Sequence, residues 1–504
     1  RHTRFRGVTG VQTCDLPISP QRYDNIGRPT HQRVQHNGRT LLDKSYLWGD
    51  NLRLLQTFDT INRRSVRYDY DTFSSLSGAV YGDSSCQWRN PDAMGNVYDS
   101  PDRTDRSYGR GGQLREDKKW RYYYDSQGNL VLKSMRRMEP SRNAEAREEF
   151  LAWQSGDYAY TWQGNGMLRS VTRPDGKTVT FKYDALGRRI EKVFDGRVYR
   201  YLWDGDVILH EWDYAEADRP NTIVTETGEV TLDRPEPVEN LITWVYDSDS
   251  YVPTAKLVDD KYYSIVSDYI GRPVQAYDDN GNIVWQADYD IYGNLRNLHG
   301  SRQFIPFRQL GQYEDDETRL YYNRFRYYDP RIGNYISQDP IGLMGNNPTL
   351  YGYVGDLNNW ADVFGLRCKK VKKIGPSIPE FHRKNFTDGI VNMRQVSGDE
   401  IFYKYHGKSN RLGREYNYVT NKKYLSEQAL REDLALLKEW GVEIEYVTTF
   451  KPQAGTWIGE GTAAKQISQD GTEILEGTGY QGIINIKELP NSTIIKTEKV
   501  KFSL

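Results

Sequence analysis

The sequence predicts a mainly β chain: a long strip of short antiparallel hairpins followed by a small α+β domain. Three observations carry this. Among 504 residues there are 39 Tyr, 44 Gly and 12 Trp against 6 Met, and aromatic strand formers punctuated by turn formers favour many short strands over helices. One phrase returns along the chain, as "YDNIGR" at 23, "YDSQGN" at 124, "YDALGR" at 183, "YDDNGN" at 277 and "YDIYGN" at 289, with looser copies "PDAMGN" at 91 and "YLWDGD" at 201. The composition then changes abruptly after "LYGYVGDLNNWADVFGL" (350–366) to the basic run "RCKKVKKIGPSIPEF".

Charge and cysteine usage exclude several classes. The 68 basic and 69 acidic residues leave a formal charge of -1, so no global field draws nucleic acid or an anionic membrane. Cys14, Cys86 and Cys368 lie far apart and form no C-x-x-C pair, which indicates neither a disulfide framework nor a zinc site. No apolar run reaches the ~18 residues of an ordinary membrane helix.

Taken in order, "GVTGVQTCDLPIS" (Gly7 to Ser19) resembles a translated sequencing-adaptor read, so residues 1–19 are set aside from the fold and the native chain is expected to extend upstream. From residue 20 the returning phrase has a mechanical meaning. Asp, then Gly three residues on, then Arg or Asn, supplies a tight turn between two strands. The stretch "KTVTFKYDALGRRIEKVFDGRVYRYLWDGDVILHEW" alternates strand formers around two such turns about 20 residues apart, the spacing of stacked hairpins.

These Tyr-Asp phrases, followed by "YYNRFRYYDPRIGNYISQDPIGL" (321–343), resemble RHS (rearrangement hotspot) or YD-repeat proteins over about residues 20–366. The resemblance implies a β-hairpin shell, a hollow spiral over 20–300, closed by a core plug over 301–366, with residues 367–504 as an enclosed C-terminal domain. It also implies a self-cleaving site. Asp339 of "SQDPIG" and Asp362 of "WADVFGL" would be the catalytic pair, Arg326 of "NRFRYYDP" would orient them, and the cut would fall between Leu366 and Arg367. Two carboxylates held close cannot both ionise cheaply, so one serves as acid and the other as base. A nearby guanidinium would keep the base ionised. Val363 stands where the family usually has Pro, but the aspartate and the Gly-Leu exit are intact, so cleavage is expected. Asp329, also before a proline, reads as structural.

Residues 367–504 carry 22 Lys and Arg against 17 Asp and Glu. Five of the positives sit in the opening run, which reads as a solvated linker, so the balanced remainder weakens a nuclease reading. "SEQALREDLALLKEWG" predicts a helix with Leu430, Leu434 and Leu437 on one face and Gly441 as its stop. "EIFYKYHG", "VEIEYVTTF" and "GIINIKEL" predict strands. "GTGYQG" (477–482) matches G-x-G-x-x-G in letters, but a strand follows it and little chain remains for a βαβ unit. His382 and His406 are too distant in sequence to read as a pair, and each reads as an ordinary residue.

The order "RLGREYNYVT", "LALL", "FKPQAGTWIGEGTAA", "GTGYQGII" resembles NAD-consuming toxin domains, similar to the tuberculosis necrotising toxin and bacterial ADP-ribosyltransferases. That resemblance implies Arg411 at the NAD phosphates, Tyr416 or Tyr418 against the nicotinamide ribose, and Gln481 near the glycosidic bond. No resident cofactor or metal is implied, and NAD enters as substrate. The whole is expected to be an RHS-type polymorphic toxin, secreted or delivered from the cell surface by type VI-like or toxin-complex machinery. Its freed domain would act in the target-cell cytoplasm and be neutralised by a cognate immunity protein. The alternatives are a nuclease or deaminase tail, or a non-enzymatic YD-repeat adhesion or carbohydrate-binding protein.

Overall fold

The computed structural model describes residues 21–24, 26–138, 144–246, 250–347, 349–370, 378–408, 415–485 and 494–502. The chain divides into two compact units, one holding residues 66–370 and the other holding 21–65 together with 378–502 among those described.

The first unit is dominated by a sixteen-stranded antiparallel sheet running from Ser107–Tyr108 to Leu295–His299, each strand lying beside its neighbour in sequence order. Inserted between successive strands are the helix Ala144–Leu151 and an exposed hairpin, Thr222–Val224 with Val230–Leu232. The returning phrase makes the turns as its chemistry requires. At Asp184 the backbone N–H and C=O close on Arg188 and Gly187 (2.9 and 3.0 Å), and Oδ1 accepts from the N–H groups of Leu186 and Arg188, both at 2.9 Å. The Arg188 side chain returns to Oδ2 at 2.6 Å, while Gly187 sits at φ +71° where a side chain would strain the backbone. Asp125 with Asn129, Asp278 with Asn282 and Asp290 with Asn294 repeat the pattern, Asn replacing Arg as the residue that returns.

The Tyr-rich block forms a separate four-stranded sheet, Tyr313–Asp315, Leu320–Asn323, Arg326–Asp329 and Asn334–Tyr335. Its apolar side joins the hairpin strip in one core, where Leu320, Tyr322, Tyr327, Ile336 and Tyr351 pack with Leu130, Leu168, Val171, Val179 and Phe181. The tyrosines do more than fill space, because their hydroxyls find carbonyls of the turns. Tyr322 donates to Gly187 (3.0 Å), Tyr321 to Gly293 (3.0 Å) and Tyr351 to Gly128 (2.6 Å). A Cβ on Gly187 would stand 2.6 Å from Phe325, so close approach is a second reason for glycine there.

A buried ion pair fixes this seat. Arg189, fully enclosed, donates to Asp315 at 2.6 Å and lies over the rings of Tyr322, Tyr201 and Tyr313 at 4.6, 4.8 and 5.2 Å. Asp329 is held by Lys133 at 3.3 Å and Arg331 at 2.7 Å. Burial raises its carboxyl, but the two cations outweigh burial and hold it well below the usual range.

In the second unit, strands from Gln21 to Asp59 belong with the C-terminal segment. The strand Gln21–Tyr23 pairs with Pro29–His36 on one side and with Asn392–Gln395 on the other, Arg22 opposite Arg394. An edge strand's unpaired backbone groups are satisfied in this way. The sheet continues through Trp457–Thr462 and Tyr480–Asn485 to Tyr416–Val419, beside a three-stranded sheet of Phe402–His406, Tyr446–Phe450 and Ile494–Lys499. The first two expected strands of this region are present within shorter bounds, and the third starts earlier, at Tyr480, with residues 486–489 of that expectation outside the described residues.

The helix is shorter than expected. It spans Glu427–Leu434, starts on Ser426, whose hydroxyl accepts from Ala429, and stops at Ala435 in the left-handed conformation (φ 48°). Arg431 causes the early stop by donating to the carbonyls of Leu436 and Val442 (3.2 and 2.9 Å), which folds the following chain back. Gly441 ends the short turn Lys438–Trp440 instead.

The Arg189–Asp315 pair yields the first prediction. Asp315→Ala leaves an enclosed guanidinium without its main partner and should cost about 3–5 kcal/mol, read as a shift of the urea unfolding transition. A loss below about 1 kcal/mol would show that the seat does not depend on this pair.

Candidate active site

The last residues of the first unit wrap around one guanidinium. Arg326, at the head of the strand Arg326–Asp329, is 1% exposed. Its Nη2 donates to Asp339 Oδ2 at 2.9 Å and to Asp362 Oδ2 at 3.3 Å. Nε donates to the carbonyl of Gly365, and Nη1 reaches that of Leu350 at 3.3 Å. The face of the Tyr335 ring lies 3.7 Å below the guanidinium. The three residues singled out for the cut are thus brought together, although 13 and 36 positions separate the arginine from the two acids.

Local structure explains each placement. Asp339 opens an Asx-type turn, its Oδ1 accepting from Ile341 N–H at 3.0 Å and its carbonyl from Gly342 at 2.9 Å. Asp362 follows the short strand Trp360–Ala361, which pairs with Lys369–Lys370. The intervening loop therefore returns on itself, with Gly365 at φ +67° and its Cα so near Asn323 that a Cβ would sit 2.6 Å from that carbonyl. The opening of the basic run is consequently held in a ladder rather than forming a free linker, and Cys368 is buried, its N–H donating to Gly345 at 3.1 Å.

The peptide groups of the expected cut face the two carboxylates. Asp362 Oδ1 accepts from the N–H of Leu366 at 2.9 Å and of Arg367 at 3.1 Å. On the other side, a Cβ placed on Gly345 would meet the Leu366 carbonyl oxygen at 2.4 Å and Asp339 Oδ2 at 2.6 Å, so both oxygens crowd the same bare Cα. Asp362 Oδ2 also accepts from the Tyr335 hydroxyl at 3.0 Å, and Asn323 Nδ2 donates to that hydroxyl and to the Asp362 carbonyl at 2.6 and 2.7 Å. Burial raises the Asp339 carboxyl against the pull of Arg326, and the charge of Asp362 adds to the rise. A cavity of ≈ 660 Å³, lined by the turn residues 163–167 together with Phe325, Gln338 and Asp339, gives water a path to this acid.

Val363 keeps its backbone path without proline. Gly311 (φ +82°) packs so tightly on it that a Cβ there would stand 2.3 Å from the Val363 carbonyl oxygen, and the Phe325 N–H donates to Phe364 at 3.2 Å.

In the second unit, Tyr416, Tyr418 and Gln481 line one cavity of ≈ 300 Å³ with His382, Asn385 and Trp440. Arg411 lies outside the described residues. His382, read from the sequence as ordinary, is the residue that reading missed: its Nδ1 pairs with the Tyr418 hydroxyl at 2.7 Å, and its ring stands 5.0 Å from that of Tyr416. Asn385 Nδ2 donates to the same hydroxyl at 2.6 Å, and Gln481 Nε2 donates to the Asn385 carbonyl at 3.0 Å. Tyr418 thus shares its hydroxyl between the imidazole of His382 and the amide of Asn385. Burial lowers the His382 pKa, favouring its neutral form. The glycines of "GTGYQG" are occupied otherwise: a Cβ on Gly477 would stand 2.6 Å from Ala464 O and one on Gly479 2.7 Å from Asp433 Cβ, and the strand starts at Tyr480.

Known proteins match more than half of the chain. A family model described as Teneurin YD-shell matches residues 15–349. Double-stranded DNA deaminase toxin A of Burkholderia cenocepacia (strain H111) is 30% identical over 386 residues, 68% of this chain and 24% of that protein. Toxin protein Tse5 of Pseudomonas aeruginosa is 31% identical over 377 residues, 65% of this chain and 27% of that protein. Probable deoxyribonuclease RhsA of Dickeya dadantii (strain 3937) is 31% identical over 263 residues, 51% of this chain and 16% of that protein. The chain therefore spans about a quarter or less of the length of these relatives. The family match covers more than half of the chain and coincides with the repeated turns and the tyrosine-rich block: this chain belongs to the Teneurin YD-shell family, as an RHS/YD-repeat member with polymorphic toxins among its relatives.

Proposed function

We propose that this chain is a self-processing toxin carrier, in which Asp339 and Asp362 hydrolyse the Leu366–Arg367 bond and free residues 367–504 as the cytotoxic piece. The observation that carries the reading is the shared grip of Arg326 on two buried carboxylates, one against each side of that peptide bond. Asp339, in its acid form, hydrogen-bonds the Leu366 carbonyl oxygen. Asp362 takes a proton from water as the water oxygen bonds to the Leu366 carbon, and the tetrahedral intermediate's charge is met by Asp339. As the C–N bond breaks, Asp362 passes its proton to the Arg367 nitrogen, 3.1 Å from Oδ1. The products are the Leu366 carboxyl group and the Arg367 amine.

For the freed piece the reading is consumption of NAD, with release of nicotinamide. Its support is the cavity that joins Tyr416, Tyr418 and Gln481, lined by aromatic rings suited to stack on a planar base and by amides suited to a ribose. The competing reading is action on DNA, favoured by the names of two relatives, a DNA deaminase toxin and a probable deoxyribonuclease. Under either reading the carrier is delivered to a target cell, and the cell that makes it needs a protein that neutralises the piece.

Cleavage is tested on the full chain. The wild type should run as two pieces, the smaller beginning at Arg367, and Asp339→Asn or Asp362→Asn should run as one. Undiminished cleavage in both variants would overturn the assignment. The pH dependence has a definite sign. Since the Asp339 pKa is raised, its acid form persists above the usual carboxylate range, and the cleavage rate of chain refolded at a series of pH values should fall as pH rises through that raised value. A rate that climbs through this window would exclude Asp339 as the acid.

Chemistry is tested on the self-cleaved chain, because Gln21–Tyr23 supplies a strand to the C-terminal sheet. It should release nicotinamide from NAD, and Gln481→Ala should lower kcat by about 10-fold or more with KM little changed, as expected for a contact that tightens as the glycosidic bond breaks. NAD left intact while DNA is deaminated or cut would establish the competing reading.

A further inference from the structure

Around Asp362 the hydrogen bonding is nearly closed, and the exceptions are informative. Tyr335 and Asn323 satisfy one another and Asp362. Tyr353 does not follow suit: it is 2% exposed, yet its hydroxyl makes no well-formed hydrogen bond among the described residues, the backbone N–H of Asp362 being the group set beside it. Asn323 Oδ1, on a residue wholly shielded from solvent, is likewise without one. Buried polar atoms are almost always paired, because leaving one unpaired forfeits its hydration with nothing in return.

Packing locates the Tyr353 hydroxyl beside the acid. The Tyr353 ring stands edge-on to that of Tyr335 at 5.7 Å and 4.7 Å from that of Tyr328, and Tyr335 is the residue whose hydroxyl reaches Asp362 Oδ2. The Tyr353 phenol is held well above its ordinary range, by burial first and by the charge of Asp362 next. Other tyrosines of this cluster are satisfied: Tyr321 donates to Gly293 and Tyr328 to Tyr292 (3.0 and 2.8 Å). An unpaired hydroxyl, an unpaired amide oxygen and a carboxylate supply the two to four polar partners that an ordered water needs.

We propose that Tyr353 is a positioning residue for the self-cleavage, its hydroxyl holding the hydrolytic water against Asp362. The proposal rests on the aspartyl reading above and adds to it the place from which water attacks. The water donates one hydrogen to Asp362 and a second to Asn323 Oδ1, while Tyr353 donates to its oxygen. That arrangement leaves a lone pair for the Leu366 carbon, and Tyr353 itself gains and loses no proton in the step.

The test separates a role in the reaction from one in packing by using two single-atom deletions in the same cluster. Full-length chain is made by cell-free synthesis, appearance of the smaller piece is timed on gels, and thermal unfolding of each variant is followed. Tyr353→Phe keeps the ring and removes an unpaired hydroxyl, so the melting temperature should hold or rise while cleavage slows 10-fold or more. Tyr328→Phe removes a paired hydroxyl, so the melting temperature should fall while the cleavage rate stays within about twofold of wild type. Tyr353→Phe cleaving at the wild-type rate would overturn the proposal and leave the aspartyl reading standing. Slowed cleavage with a matching loss of melting temperature in both variants would overturn it as well, reducing Tyr353 to a packing role. A wild type that never cleaves would overturn the aspartyl reading and this proposal together.

Discussion

One positive charge organises the end of the first unit. Arg326 is shut away from water with both carboxylates on its Nη2 nitrogen, and a carboxylate pair so close would repel without it. The same guanidinium ties down the Gly365 carbonyl, which fixes the loop ahead of the Leu366–Arg367 bond. Around it the tyrosines supply an apolar shell with hydroxyls at its margin, so the charge cluster sits dry and still has its hydrogen bonds. This is why the stretch before the compositional break is so aromatic. A shell of leucines would bury the ions equally well but would leave the carbonyls of the repeated turns without donors.

The turns and the block are made for each other. An Asp-x-x-Gly turn presents a glycine carbonyl outward, and Tyr321, Tyr322 and Tyr351 each take one. The repeated phrase is therefore both a hairpin device and a docking point, and the plug is placed by several such contacts together with the Arg189–Asp315 pair. The geometry at the dyad inherits its rigidity from that seat. Asp339 and Asp362 come from loops, and loops hold a geometry only as well as the strands that carry them.

Much of this was legible beforehand, and the limits have physical causes. The turn phrase could be read because its chemistry is local: Asp, Gly and Arg or Asn act within five residues. A further copy, Asp268 with Gly271 and Arg272, makes the same bonds and escaped the reading because Ser267 stands where Tyr does elsewhere. The meeting of Arg326 with Asp339 and Asp362 was expected from family resemblance and not from spacing, since nothing local links Arg326 to Asp362. The pairing of Gln21–Tyr23 with Asn392–Gln395 was illegible because strand partners hundreds of residues apart leave no periodic trace. His382 and Tyr418 were hidden in the same way, as two ordinary residues made a pair only by folding. The helix ended early through a side chain, Arg431, that outbid the glycine signal seven residues past the helix end.

The account stands or falls on hydrolysis at one bond, and isotope incorporation tests that directly. Chain synthesised and folded in water enriched in ¹⁸O, then digested and weighed by mass spectrometry, should yield a terminal peptide ending at Leu366 that carries one ¹⁸O in its new carboxyl group, with the companion piece beginning at Arg367. An intact chain under folding conditions, or a terminus elsewhere, would contradict it.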